Sequence, residues 1–165
     1  MIEDDSPGLP LDIPEPARAA LTLAAGLWHD EAAAAAHVEA AVAAAPEALA
    51  ARIGAYKFHF YRHRYDEAVE QARAVLALAA RRLQLPPDWA EVRPNDAGFG
   101  RIEPWPRLYL QALVGLGYCL ARQGLTADGR AVLAKAAELD VSGKFGAARL
   151  VAVIDRGGLD DEDDG

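Results

Sequence analysis

Residues 113–136 read LVGLGYCLARQGLTADGRAVLAKA and show most clearly how this chain is built. Large apolar residues recur at the three- and four-residue spacing of an α-helix on both sides of a break at Gly124. Small residues at Gly117 and Gly129 would let two helices approach closely, while the neighbouring leucines fill the gap beside them. The stretch therefore predicts an antiparallel helical hairpin.

The helical pattern extends over most of the 165 residues. Alanine is the commonest of the hydrophobic residues, which make up 52% of the chain, and only 7% of the residues are aromatic, which is typical of close-packed helices rather than strands. Asp30 and Thr126 are the expected N-caps of two of the helices. The apolar periodicity and its breaks predict helices at about 16–27, 30–45, 46–63, 65–84, 106–123, 126–139 and 144–156.

The predicted hairpins are similar to one another. When their second helices are aligned, Ala32, Ala68 and Gly129 fall at equivalent positions, separated by 36 and then 61 residues. The first spacing is close to a 34-residue helical repeat, and the second equals one repeat plus an insertion of about 27 residues. The chain therefore has the periodicity of a helical repeat protein.

The third hairpin carries a resemblance to a known family. Its large and small residues follow the order of a tetratricopeptide repeat: Leu113, Leu116, Gly117 and Leu120, then Gly129, Leu133 and Ala136. The second hairpin matches in YDEA at 65–68, and the first in HDEA at 29–32 and in Pro46. The chain thus resembles tetratricopeptide repeat proteins over about residues 16–143. This resemblance implies an all-α, right-handed stack of three antiparallel helix hairpins, and residues 144–156 are the expected C-terminal capping helix.

Two shorter stretches carry a narrower resemblance. The segments YKFHFYRHRYDEA at 56–68 and PPDWAEV at 86–92 resemble a group of bacterial tetratricopeptide-like proteins associated with nitrogen-fixation gene clusters. The residues themselves carry no signature of nitrogen chemistry. This resemblance implies a bacterial protein and identifies neither a partner nor an activity.

The net charge of −8 is concentrated at the two ends of the chain. Eight of the 25 carboxylates lie there, so the 17 acidic and 17 basic residues between them cancel. We expect a flexible acidic segment at 1–14, a helical domain at 15–157 with an insertion at 84–105, and an acidic disordered tail at 158–165.

Composition also excludes several classes of protein. The neutral body offers no basic footprint for nucleic acid, and no apolar run approaches the roughly 20 residues of a membrane span. The first ten residues lack the basic start and apolar centre of a signal peptide, and Cys119, the one cysteine, can form no internal disulfide. A cytoplasmic protein without a membrane association is expected.

The helix predicted at 46–63 is apolar on two sides. When its residues are placed on a helix at about 100° per residue, the apolar side chains form two stripes on nearly opposite sides of that helix. The stripes contain Leu49, Ile53, Tyr56 and Phe60 on one side and Ala51, Ala55 and Phe58 on the other. A helix with two apolar sides is packed on both, so we expect this one in the middle of the stack.

A basic flank lies between the two stripes and contains Lys57, Tyr61 and Arg64. Ala50 and Gly54 leave open space beside it. The tetratricopeptide resemblance implies that the first helix of each hairpin lines the inner surface of the array. The corresponding flank of the third hairpin comprises Gln111, Tyr118 and Arg122.

We predict that these two flanks bind a protein or peptide partner. Arginine binds carboxylates in a bidentate manner, and tyrosine adds flat contact area at low entropic cost, so an acidic or carboxylate-bearing partner is expected. The chain would then be a non-catalytic adaptor. One alternative is a solvated helix face whose cations pair with Asp66, Glu67 or Glu70. Another is a structural subunit of a homo-oligomer.

An enzyme is the less favoured reading. His59 and His63 have the i, i+4 spacing at which two imidazoles can share a metal, but HFYRH contains no glutamate and no third ligand is evident. We also expect no carboxylate beside either histidine to orient it for acid–base work. A metal- or small-molecule-binding enzyme that uses both histidines stays open, although we predict no catalytic residue, metal or cofactor.

The insertion is rich in proline and aromatic residues. Residues 83–107 hold five prolines and rule out a long helix, while Trp89, Phe99 and Trp105 indicate a segment anchored on a surface. Two interpretations follow. The aromatic residues fill a gap between the second and third hairpins, or the segment covers the partner-binding surface as a lid or occupies it as a built-in ligand.

Overall fold

The computed structural model describes residues 9, 11–27, 29–101 and 103–157. This part of the chain contains seven α-helices and no strand, so the predicted all-α class is confirmed. Every helix begins and ends within three residues of its predicted position. The helices are α1 (Glu15–Gly26), α2 (Glu31–Ala44), α3 (Leu49–Tyr61), α4 (Tyr65–Leu83), α5 (Pro104–Arg122), α6 (Thr126–Leu139) and α7 (Ala147–Asp155).

The helices pack in consecutive pairs. Helices α1 and α2, α3 and α4, and α5 and α6 form three hairpins, which α2–α3 and α4–α5 contacts join into a stack. Helix α7 packs on α6 and covers the end of the third hairpin. Consecutive antiparallel pairing leaves α1, α3 and α5 running in the same direction.

Two glycines bring α5 and α6 close together. A Cβ on Gly117 would lie 2.6 Å from Leu133 Cγ and 3.0 Å from the carbonyl oxygen of Gly129. A Cβ on Gly129 would lie 2.6 Å from the carbonyl oxygen of Gly117 and 2.7 Å from the backbone nitrogen of Ala121. Backbone atoms cannot move aside as a side chain can, so only glycine fits, and the prediction that these two residues permit a close approach is confirmed.

Of the two N-cap residues predicted from the sequence, one is confirmed and the other was wrong. Asp30 is the N-cap of α2, and its side chain accepts a hydrogen bond of 3.1 Å from the backbone N–H of Ala33. The prediction that Thr126 caps α6 was wrong, because Leu125 is the N-cap residue and Thr126 lies inside the helix. The backbone N–H of Leu125 donates a hydrogen bond of 2.9 Å to the carbonyl of Leu120, which closes the C-terminal end of α5 just before α6 begins.

Helix α3 lies between two separate cores. Its residues Leu49, Ile53 and Tyr56 belong to a large core that extends through α4, α5, α6 and α7. Its Ala55 and Phe58 face smaller, alanine-rich clusters shared with α1 and α2. The prediction that both stripes of this helix are packed is confirmed. The first hairpin is therefore joined to the rest of the stack through much less apolar bulk than the second is to the third.

The insertion packs on the helices. It contains two single 3₁₀ turns, Trp89–Glu91 and Pro94–Asp96. Val92 is fully buried and Phe99 nearly so, and the Nζ of Lys135 on α6 donates a hydrogen bond of 2.9 Å to the carbonyl of Val92. As expected, this is an ordered excursion that closes over the large core.

The predicted flexible ends fall mainly outside the described residues, which omit 1–8, Pro10 and 158–165. Of the N-terminal segment, Leu9 and Leu11 pack against the large core and Ile13 packs against the first hairpin. Among the described helices, none combines the length and the hydropathy needed to cross a membrane.

Candidate partner-binding groove

An open groove runs between α1 and α3. It consists of two adjoining pockets of about 410 and 420 Å³, which share Leu21 and Ala25 of α1 and Gly54 of α3. We call this feature the α1–α3 groove. The two pockets together extend along α3 from Ala50 to Tyr61.

The floor of the groove is apolar and built from small residues. Ala24 and Ala25 of α1 face Ala50 and Gly54 of α3. A Cβ on Gly54 would lie 3.5 Å from Cδ1 of Leu21, which is ordinary van der Waals contact, so this glycine deepens the groove without being required by the fold. Larger apolar side chains, among them Leu21, Val38 and Phe58, line the groove beside these small residues.

The rim of the groove is basic. Among the described lining residues the charged ones are Arg18, Lys57 and Arg62. Arg18 lies 3.7 Å from the exposed Glu15, and the guanidinium of Arg62 stacks 4.1 Å above the ring of Phe58. Tyr61, 64% exposed, lines the same end of the groove as Lys57. The structure therefore brings two of the predicted partner-binding residues together in one concavity.

Two other predicted residues belong to an adjacent aromatic cluster. Nη1 of Arg122 donates a hydrogen bond of 2.6 Å to the Tyr118 hydroxyl, and its guanidinium stacks 4.9 Å from the ring of Tyr65. The Phe60 ring connects this cluster to the groove, because its centroid lies 5.2 Å from that of Tyr61 and 5.6 Å from that of Tyr118. The α3 and α5 residues named from the sequence are thus neighbours, bridged by a ring from the apolar stripe.

Arg64 lies in a different environment. Its Nε is 3.1 Å from Oε2 of Glu67, and its Nη1 is 3.4 Å from Oε2 of Glu31. Arg64 was predicted to bind a partner, but its contacts agree with the alternative interpretation, in which the cations of this helix face pair with nearby carboxylates. Gln111 is only 5% exposed and presents little surface to a partner.

His59 is fully buried and carboxylates flank its ring. Nε2 lies 3.4 Å from Oε1 of Glu39 on α2, and Nδ1 lies 3.9 Å from Oε2 of Glu67 on α4. Neither nitrogen makes a hydrogen bond within the described part of the chain. The expectation that no carboxylate lies beside this histidine was wrong, because both glutamates come from other helices and become neighbours only after packing.

The surroundings of His59 favour its neutral form. Burial lowers the pKa of His59; the negative charges of Glu67 and Glu39 oppose this effect, and the positive charge of Arg64 adds to it. His63, the other member of the predicted pair, is exposed and stacks on Tyr65 with 5.6 Å between centroids. Among the described residues no three His, Cys, Asp or Glu side chains are placed to hold a metal ion.

Cys119 and Tyr56 are buried together in the large core. Burial raises the pKa of the Cys119 thiol to about 12 and also raises the pKa of Tyr56. The Tyr56 ring fits against Gly115, where even a Cβ would collide with its hydroxyl oxygen. Such a thiol is a packing group with little thiolate character.

The aromatic residues of the insertion contribute to packing at the opposite end of α5 from Tyr118. Phe99 is 4% exposed and lies 5.9 Å from the ring of Tyr109, while Trp105 has the Arg82 guanidinium 5.7 Å from its ring. Trp89 lines a small pocket of about 130 Å³. These contacts favour the gap-filling interpretation over the lid, since α5 extends roughly 20 Å between Trp105 and Tyr118.

The sequence prediction missed one side of the groove. Leu21, Ala25 and Arg18 of α1 line it, whereas the predicted partner-binding residues all lie in or next to the first helices of the second and third hairpins. A signal was present, because α1 has Leu21 and Ala25 one turn apart beside the stripe formed by Ala17, Ala20 and Ala24. Arg62, the C-cap residue of α3, was also not named as a partner-binding residue.

Comparison with known proteins gives one informative match. No family model matches the chain, and no solved structure matches it. A protein of Azotobacter chroococcum mcd 1 described as "Uncharacterized 19.8 kDa protein in nifW 5'region" is 36% identical over 116 residues. The match covers 67% of this chain and 63% of that protein. The chain is therefore a helical protein with a relative encoded in a bacterial nif gene region, and the tetratricopeptide assignment stays a prediction.

Proposed function

We propose that this protein is a non-catalytic adaptor that binds a protein or peptide through the inner face of a tetratricopeptide-like array. The observation that carries the proposal is the α1–α3 groove, whose described charged lining residues are all basic. An apolar floor supplies contact area, and a rim of one charge sign supplies orientation and selectivity. The partner surface is therefore acidic or carboxylate-bearing.

The chemistry of the buried groups supports a binding role over catalysis. His59 has no exposed surface, and the Cys119 thiol is held protonated by burial. A general base or nucleophile must reach its substrate, which neither group does in this packing.

The similarity to a protein of the nifW 5′ region supports a biological setting for the adaptor. We place its partner among bacterial proteins whose genes lie close to nitrogen-fixation genes. This part of the proposal rests on relatedness and not on the chemistry of the groove.

The proposal predicts that reversing one charge on the rim of the groove weakens binding of the partner. Lys57→Glu places a carboxylate at the groove, so it should weaken capture of the partner from the native cell extract by about tenfold or more. Lys144→Glu, the same change at an exposed residue before α7, should leave capture unchanged. Capture is measured by quantitative mass spectrometry with each variant as bait at matched concentration.

Equal capture by both variants would contradict the groove as the binding surface. A homo-oligomeric structural subunit is the alternative, and light scattering separates the two. If the protein at tens of micromolar has the mass of one chain, the homo-oligomer alternative is contradicted. If it forms an oligomer that Lys57→Glu dissociates, the groove is an interface between copies of the chain and the adaptor proposal is wrong.

A further inference from the structure

We infer that the α1–α3 groove accepts an amphipathic α-helix of the partner, with aliphatic residues on the buried face and carboxylates along its edges. This inference rests on the proposed function and specifies the conformation and chemistry of the bound segment.

The backbone requirements of the bound segment favour a helix. The groove is walled by two α-helices, and away from the first and last turns their backbone N–H and C=O groups are already bonded within each helix. Thr22, one of its few polar lining residues, donates its hydroxyl to the Arg18 carbonyl at 3.0 Å. An extended peptide on this floor would bury unpaired backbone groups, which is costly, whereas a helix satisfies its own backbone.

The dimensions of the groove also suit a helix. From Ala50 to Tyr61 the groove follows α3 for about 16 Å, which corresponds to about three turns of a bound helix. Alanine and glycine on the floor permit the interaxial distance of roughly 8–10 Å at which helices pack. Gly54 lies in the part shared by both pockets, so a central aliphatic anchor of the bound helix would lie beside Gly54 and the Leu21 side chain.

The charges specify the edges of the bound helix. Arg18 lies at one end of the groove on the α1 side, while Lys57 and Arg62 lie toward the other end on the α3 side. Carboxylates on both edges of an apolar stripe would meet these cations without entering the floor. Long-chain cations on the partner helix would be repelled.

The test uses three designed peptides of identical length. The first has leucines at i, i+3, i+4 and i+7 with glutamates on the flanking positions. The second has the same composition with leucines at alternate positions, and the third replaces the glutamates of the first by lysine. We expect the first to bind at least about tenfold more tightly than either other, by fluorescence anisotropy, with a gain of helical circular dichroism on binding.

Variants at Gly54 locate the binding. Gly54→Ala adds a Cβ at ordinary contact distance and should change affinity little, while Gly54→Leu should fill the groove and weaken the first peptide by about tenfold or more. Ala148→Leu, which adds a leucine on the exposed face of α7, is the matched control and should bind like the unmodified protein. Gly54 is inside a helix, so both substitutions also raise helix propensity and keep the fold.

Three results would overturn the inference. They are equal or tighter binding of the alternate-leucine isomer, unchanged binding by Gly54→Leu, and no binding of the first peptide up to about 1 mM. If any of these occurs while Lys57→Glu still weakens capture of the natural partner, the adaptor proposal stands and the bound segment has another form.

Discussion

His59 lies in α3 where that helix is covered by α2 and α4, and it has no exposed surface. Its imidazole is held between Glu39 and Glu67, while Arg64 also approaches Glu67, at 3.1 Å. Burial outweighs the two carboxylates, so the pKa of His59 lies below its usual value of about 6.5. The residue acts as a packing group that resists protonation.

This arrangement makes folding stability depend on pH. Between the lowered pKa of folded His59 and the unfolded value of about 6.5, the unfolded chain binds more protons, so stability falls as pH drops through that range. His59→Gln removes this titration and should flatten the slope of unfolding free energy against pH by up to about 1.4 kcal/mol per pH unit. Urea denaturation followed by circular dichroism from pH 7 to pH 5 measures both slopes.

His63→Gln is the matched control for the loss of one imidazole, because this residue lies on the exposed turn between α3 and α4. If the slopes of the unmodified protein and His59→Gln coincide, burial does not suppress protonation of His59.

At the scale of single elements, the first hairpin differs from the other two. Helices α1 and α2 are held by small clusters made mostly of alanine, with Val38 and Val42 as their larger buried members. The second and third hairpins share one large core that also receives the insertion. Because stabilisation scales with the apolar area buried, the first hairpin should open at lower free energy than the rest.

Hydrogen exchange should detect this difference. Backbone amides in the middle of α2 should exchange faster than those in the middle of α5 under native conditions. Val38→Ala should lower the stability of the first hairpin by about 2 kcal/mol through lost packing. Amide exchange should then become faster in α1 and α2, while the exchange rates in α5 stay nearly the same. Leu116→Ala, in the large core, is the comparison and should speed exchange throughout α3 to α6. Equal protection of α2 and α5 would show that the stack opens as one unit.

At the scale of the whole molecule, charge is divided between a neutral body and acidic ends. The tail at 158–165 alone holds five carboxylates, and the α1–α3 groove has a basic rim. Electrostatic interactions between exposed charges reach about 30 Å at 0.01 M salt but only about 8 Å at 0.15 M. If the groove binds an acidic peptide as proposed, we expect the charge of the acidic ends to weaken that binding mainly at low salt.

Replacing residues 159–165 with a neutral Gly/Ser segment of equal length should strengthen binding of an acidic peptide at 0.01 M salt, severalfold, and have a smaller effect at 0.15 M. Isothermal titration at both salt concentrations checks this expectation, with a neutral peptide as the control ligand. Identical affinities at low salt would show that the tail charge does not influence the groove.

Much of the architecture could be predicted because it depends on neighbours along the chain. Helix positions follow from apolar spacing over a few turns, and the close pair of α5 and α6 follows from Gly117 and Gly129. The lining of the candidate groove was predicted less completely. Lys57 and Tyr61 were named and line the groove, but Gln111 is buried and Arg64 is paired with Glu31 and Glu67.

By itself the sequence determined that this protein is a stack of three helical hairpins with a seventh helix at its end. That information is local, because apolar periodicity, glycine positions and proline breaks act within one hairpin. Only the tertiary structure decided which side chains meet across hairpins: the glutamates at His59, the Phe60 bridge to Tyr118, and the α1 wall of the groove. Those contacts depend on how far apart the packed helices stand and how each is rotated, which is set by the summed packing of many side chains and has no signature in any single segment.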